Sequence, residues 1–266
     1  MSRRTCIASA GLALLLAVTS GTGSGGAVAR SGGLPEGSEP FTLDPATVTV
    51  EIDNPYWPMA PGTRWIFRET DAEGSVLDVV VTVSTETKRI ANGITARVVR
   101  DTVSQDGVVV EDTFDWYAQD AEGNVWYLGE ETAEFDRGRI SSRRGSFEAG
   151  VDGALAGVAV PAHPVDDLRY RQEFYAGEAE DHGEVLAVDE QVEVASGHYR
   201  HVLMTKDTNP LEPEVLEFKF YAPNVGPVLA VSVSGSTDRE ELVKVTKVGP
   251  RAARAAGTVP LGEKYR

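Results

Sequence analysis

The sequence predicts an all-β protein: a curved antiparallel sheet or a barrel, built from two tandem similar units behind a signal peptide and a flexible leader. Three observations predict it. Apolar and polar residues alternate along most of the chain, as in "VLDVVVTVST" (Val76–Thr85), "VVVEDTFDWYAQ" (Val108–Gln119) and "GEVLAVDEQVEV" (Gly183–Val194), and a period of two puts alternate side chains on opposite faces of a strand. The gaps between such runs are short and made of turn formers, among them "DAEGS", "QDG", "DAEGN" and "PNVGP". Gaps of that length join antiparallel neighbours, because parallel strands need long crossovers. Finally, three segments recur about 105 residues apart: "RWIFRETDAEG" with "RYRQEFYAGEAED", "IANGITARVVRDT" with "VASGHYRHVLMTKDT", and "DTFDWYAQDAEGNV" with "EVLEFKFYAPNVGPV".

Residues 1–29 read as a secretory signal peptide. Arg3 and Arg4 form a basic start, Ile7 to Val18 an apolar run, and Ala27-Val28-Ala29 a small-residue cleavage site. The run is too short to cross a bilayer. Cys6 and Ile7 fit a twin-arginine signal poorly, so the general export route is preferred. Cys6, the only cysteine of the 266 residues, precedes the apolar run, where a lipid-anchor cysteine would follow it. Cleavage removes two arginines and no acid, taking the net charge from -16 to -18. Such a charge argues against nucleic acid and against anionic membrane surfaces. No later segment is long and apolar enough for stable membrane insertion. The expected place is outside the cytoplasm, secreted or in the cell envelope, without disulfides.

Residues 30–54 form the leader, rich in Gly, Ser and Pro over "RSGGLPEGSEPFTLDP". Unit one spans 55–135, a Gly/Ala-rich connector 136–160, and unit two 160–248. The last segment, 249–266, is basic where the rest is acidic, which suits a short helix or a tail lying on the acidic body.

The stretch "DAEGN" (Asp120–Asn124), with Glu131 beyond it, imitates a calcium loop in its spacing of oxygen ligands. Position six, where such a loop needs glycine, is Val125, and the flanks are strands rather than helices. A hairpin turn explains it better, with Gly123 taking positive φ and Asp120 bonding its own backbone. "GEAEDHGE" clusters Glu178, Asp181 and His182, which would serve a carboxylate–histidine hydrolase or isomerase. At a hairpin tip the same cluster is more simply a solvated turn. His198 and His201, three apart on a strand, point to opposite faces and cannot chelate together. No nucleophile elbow, zinc-protease motif, phosphate loop or dinucleotide fingerprint is present; no metal and no cofactor are expected.

Aromatic residues carry the remaining signal. "NPYWPMAPGTRW" gathers Trp57 and Trp65 with three prolines, as a plug for one end of a sheet or as a stacking platform. Phe114 and Trp116 share one strand face, as do Phe218 and Phe220, and this stripe reads as core. The opposite stripe carries Asp115 with Tyr117 and Lys219 with Tyr221. It reads as a solvated face; the alternative is an Asp115–Lys219 pair near a pseudo-twofold axis.

"PGTRWIFRE", the paired strands after it and the "FYAPNVGPVLAV" ending resemble a pattern of bacterial exported β-rich proteins. In those proteins a G-x-x-W-x-Y opening and a "YAPGVG-x-V" strand bracket an antiparallel sheet. That family is loosely similar to lipoprotein-carrier half-barrels, whose curved sheet shelters acyl chains. The motifs are structural and transfer no functional residue. From the duplicated aromatic strands and the absence of catalytic signatures, the expected function is an extracytoplasmic binding protein holding an apolar or amphipathic small molecule, with Tyr117, Tyr221, Trp57 and Trp65 as ligand contacts. The alternatives are the hydrolase or isomerase above and a structural or interaction domain of the envelope.

Overall fold

The computed structural model describes residues 33–71 and 73–265, and the predicted signal peptide lies outside them. With 55% strand and 4% helix the fold is all-β, as alternation and turn spacing predict. A first antiparallel meander comprises β1 (Thr63–Thr70), β2 (Val76–Arg89), β3 (Thr95–Gln105), β4 (Val108–Gln119) and β5 (Val125–Asp136). Three shorter pieces, β6 (Arg139–Ser142), β7 (Phe147–Glu148) and β8 (Leu155–Val160), all pair with β5. After β9 (Arg169–Arg171) and β10 (Glu173–Phe174), a second meander runs through β11 (His182–Val194), β12 (Gly197–Thr208), β13 (Leu216–Ala222), β14 (Gly226–Ser234) and β15 (Arg239–Lys247).

All fifteen strands belong to one sheet, because β15 pairs with β1, from Thr63↔Lys247 to Thr70↔Arg239. Its two edges are β9, on β11 (Tyr170↔Gly183), and β10, on β8 (Glu173↔Ala156). Only Gln172 separates β9 from β10, so one stretch of chain changes partner and draws the edges together. The sheet curls round into a barrel. Register shifts between Ile66 and Phe67, Val83 and Thr87, and Asp115 and Tyr117 supply local bends of the kind that curvature needs.

Curling decides which strand face is interior. Trp65, Phe67, Val79, Val81, Val99, Val103, Tyr117 and Tyr221 belong to the main core. Because Val99 pairs with Asp115, and Thr205 with Lys219, the stripes of Asp115/Tyr117 and Lys219/Tyr221 face inward. The prediction that these stripes are solvated is corrected. Trp116, taken as core, is buried in a second cluster on the outside of the barrel, with Val98, Ala118 and Leu128, against which Leu43 and Val48 pack. Phe218 and Phe220 are only half-buried on that outer side. The described part of the leader covers the barrel: Phe41 stacks on Trp126 at 4.8 Å, and Arg171 donates to the carbonyls of Gly37 and Glu39.

Gly129 lies in β5 where Phe147 of β7 crosses it. Its φ is +122°, and a Cβ there would overlap the Phe147 carbonyl oxygen. Both strain and backbone overlap oppose any side chain. Gly129→Ala is therefore expected to cost about 2 kcal/mol or more, read as a lowered urea midpoint at unchanged slope; an unaltered midpoint would refute this packing.

The basic tail forms α1 (Pro250–Thr258), which turns Ala253 and Ala256 onto the barrel and then releases an extended end. Arg100, buried on the outer face of β3, holds that end. Its guanidinium pairs with Asp112 and donates to the carbonyls of Val259 (2.7 Å) and Pro260 (3.0 Å), while Gly262 N–H donates to Asp112 Oδ2 at 2.7 Å. Tyr265 covers the guanidinium at 4.3 Å.

Candidate functional site

One end of the barrel is closed by the segment before β1. Gln119 Oε1 accepts from the backbone N–H groups of Asp53 and Asn54, both at 2.9 Å, and Asn54 Nδ2 donates to the Gly123 carbonyl at 2.9 Å. Asn224 N–H donates to the Pro55 carbonyl at 2.6 Å. These anchors lay Trp57 and Met59 over the end of the core, both buried. Gly123 can serve because "DAEGN" is indeed a hairpin turn: Asp120 accepts from Asn124 N–H at 2.8 Å and from Trp126 Nε1 at 2.7 Å, and Gly123 has φ +98°.

Beneath this cap is a cleft with room for about one water (about 10 Å3), lined by Trp57, Trp65, Phe67, Tyr117, Asp115 and three aliphatic neighbours. Trp57 sits 5.3 Å from the Tyr117 ring and 6.1 Å from the Tyr221 ring. Trp65 is fixed, its Nε1 donating to the Val225 carbonyl at 2.7 Å. Trp57 Nε1, equally buried, donates to no described residue, and Asp115 Oδ2 accepts from none. All four predicted ligand contacts thus gather at one end of the barrel.

Below the cleft the lumen is acidic. Asp101 follows Val99 on the inner face of β3, 4% exposed, and neither carboxylate oxygen accepts a hydrogen bond from any described residue. The Tyr127 hydroxyl lies 2.9 Å from Asp115 Oδ1 and 2.6 Å from Glu130 Oε2. One hydroxyl has one proton to give, so a protonated carboxyl must donate in one of these contacts. Burial, reinforced by neighbouring carboxylates, agrees: it pushes Asp115 up to about 8 and holds Asp101 and Glu130 well above the usual carboxylate range. Glu240 of β15 is raised in the same way, and its oxygens are likewise unpartnered among the described residues.

Across the lumen the acids have a cation. Lys219 Nζ lies 2.8 Å from Asp207 Oδ2 and 3.3 Å from Glu217 Oε2. Burial opposes its charge, but the two carboxylates outweigh burial and keep it protonated. Lys219 therefore pairs with acids of its own half and of β12, not with Asp115.

The carboxylate–histidine cluster is dispersed. Asp181 turns toward Glu173, and burial lifts it to about 7 and Glu173 well above its ordinary value. His182 starts β11, where Gly183 is the inward residue against Tyr170; burial lowers the imidazole. No hydrogen bond joins Glu178, Asp181 and His182 among the described residues. His201 Nδ1 meets Asp189 at 2.6 Å on the surface. Among the described residues no three His, Cys, Asp or Glu side chains are grouped to hold a metal ion.

Sequence reasoning missed Asp101, Glu130, Tyr127 and Glu240. A signal was present: Asp101 shares parity with Val99 and Val103, and Glu240 with Leu242. An acid on an apolar parity is an acid facing a core.

No family model and no curated protein matches this chain at a significant level. Two solved structures are similar to it. One, from Bacteroides fragilis and provisionally described as an exported protein with a YmcC-like fold, shares 14% identity over 73% of this chain and 100% of its own, at a TM-score of 0.44. The other, from Parabacteroides distasonis and provisionally described as a lipoprotein, shares 12% over 72% of this chain and 98% of its own, at 0.39. Neither likeness brings a ligand or a reaction to this chain. Among the described residues no helix is long and apolar enough to cross a membrane.

Proposed function

We propose that the protein is an extracytoplasmic binding module that seats a small amphipathic guest at the aromatic end of its barrel. One observation carries the reading: a cleft walled by Trp57, Trp65, Phe67 and Tyr117 is lined by two residues with polar atoms unpartnered among the described residues, the donor Trp57 Nε1 and the acceptor Asp115 Oδ2. Buried polar atoms almost always find partners, and rings offer apolar area with a polar tip nearby. The guest's apolar body lies on the rings and its polar end reaches the orphan atoms. Trp57 is the wall that would have to turn, because its indole N–H bonds to no described residue while that of Trp65 is bonded. The cleft as it stands holds about one water, so a larger guest turns the Trp57 ring outward.

The reading is tested by calorimetric titration of the mature chain with n-hexanol, n-hexylamine and hexanoate. At least one should bind, and Trp57→Ala should weaken it about tenfold or more, whereas Phe41→Ala, on the outer surface, should leave it unchanged. If none of the three binds, or if both variants weaken binding alike, the cleft is not the site.

A further inference from the structure

We propose that the polar end of the guest is a protonated amine, seated by Asp101, Asp115 and Glu130, which among the described residues bond to no cation of the protein. The proposal rests on the cleft being the binding site and names what that site selects.

The two halves of the lumen differ in one respect. On the inner faces of β12 and β13, Asp207 and Glu217 enclose the ammonium of Lys219. On the inner faces of β3, β4 and β5, Asp115 and Glu130 share the Tyr127 hydroxyl and Asp101 lies on the strand beside Asp115, and no Lys or Arg bonds to any of the three among the described residues. Strand registers make the comparison close. Asp115 stands two residues before the inward Tyr117, as Lys219 stands two before the inward Tyr221. Asp101 lies opposite Thr113 on β4, as Asp207 lies opposite Glu217 on β13. Where the second half supplies an ammonium, the first presents a carboxyl. Asp101 is the decisive residue: almost wholly buried, it has neither oxygen bonded to a described residue.

An alkylammonium fits what lies around these acids. The cleft, which Asp115 lines, has ring walls, which attract a cation through their faces, and its present size suits a head about as large as a water molecule. Divalent metal fits less well, since no three ligating side chains are grouped for one among the described residues. The ammonium would play on this side the part that Lys219 plays on the other, with its alkyl chain on Trp57 and Trp65.

Titrating the mature chain with n-hexylamine and with n-hexanol separates this inference from the broader one. The amine is expected to bind about tenfold or more tighter than the alcohol, a ratio that needs no variant. Asp101→Asn should remove most of that preference by weakening the amine; its carboxyl accepts no hydrogen bond from any described residue, so its loss leaves no described partner stranded. Asp115→Asn, at a residue that also lines the cleft, should weaken the amine more than the alcohol. Equal binding of amine and alcohol overturns the ammonium site and leaves the cleft intact. Absence of all binding overturns both. Displacement of hexylamine by calcium chloride, at an ionic strength where sodium chloride displaces none, assigns the acids to a metal and also overturns the proposal.

Discussion

Replacing Arg100 by alanine is expected to lower the stability of the protein by about 3–5 kcal/mol, the range for breaking a buried ion pair by removing one partner. Arg100 is fully buried on the outer side of β3, and its guanidinium has two duties. It neutralises Asp112, which is almost as deeply buried, and it satisfies the carbonyls of Val259 and Pro260 after α1 has ended. Removal strands a charge and at least two acceptors at once, and it frees Tyr265 from the surface it covers. Urea unfolding of wild type, Arg100→Ala, Asp112→Ala and the double variant would measure the pair. The double variant should be less damaged than the sum of the singles. A loss under about 1 kcal/mol for Arg100→Ala would mean that the tail is not held by this residue.

Mildly acidic solution is expected to stabilise the protein, against the habit of most carboxylate-rich proteins. The sign follows from the lumen. Asp115 titrates at about 8, Asp181 and Glu217 at about 7, and Asp101, Glu130, Glu173 and Glu240 are raised as well, burial being the first cause in each. In the unfolded chain the same groups titrate near 4. Between these values the folded state holds more protons than the unfolded, so the unfolding free energy falls as pH rises. The contribution is present in full below about pH 4 and is lost as the pH climbs through about 7 to 8. Self-repulsion in a chain of net charge -16 adds to the loss. Glu184, lowered by Lys206, acts in the opposite sense, but it lies near the surface and is screened. The melting temperature at pH 5 should exceed that at pH 8 by several degrees for a loss of a few kcal/mol at fixed ionic strength. A higher melting temperature at pH 8 would show that the buried acids are already matched by cations. n-Hexylamine should narrow the gap if it occupies the Asp115 side.

Legibility differed from residue to residue. The hairpin at Asp120–Asn124 could be read locally, because a glycine with positive φ and an aspartate bonding its own backbone need nothing from the rest of the chain. The pairing of faces could be read too: Asp115 with Tyr117, and Lys219 with Tyr221, follow from the two-residue period alone. What could not be read was which face turns inward. Phe218 and Phe220 look more like core than Glu217 and Lys219 do by any scale of transfer free energy, yet they lie outside. Duplication of the chain remains a proposal; the barrel's two meanders have the same order of long strands, but a constant offset in sequence is its main support.

The amino-acid sequence alone determined the class of fold, the strands and turns, and the partition of each strand into two faces, and it singled out Trp57, Trp65, Tyr117 and Tyr221 as residues to watch. Those properties depend on period, turn chemistry and composition, which act over a few residues. Closure was decided only in three dimensions, where β1 meets β15 and the stretch around Gln172 changes partner between β11 and β8. Curvature has a sign that no single strand encodes, and it is the sign that turned a stripe of acids, one lysine and tyrosines into the interior.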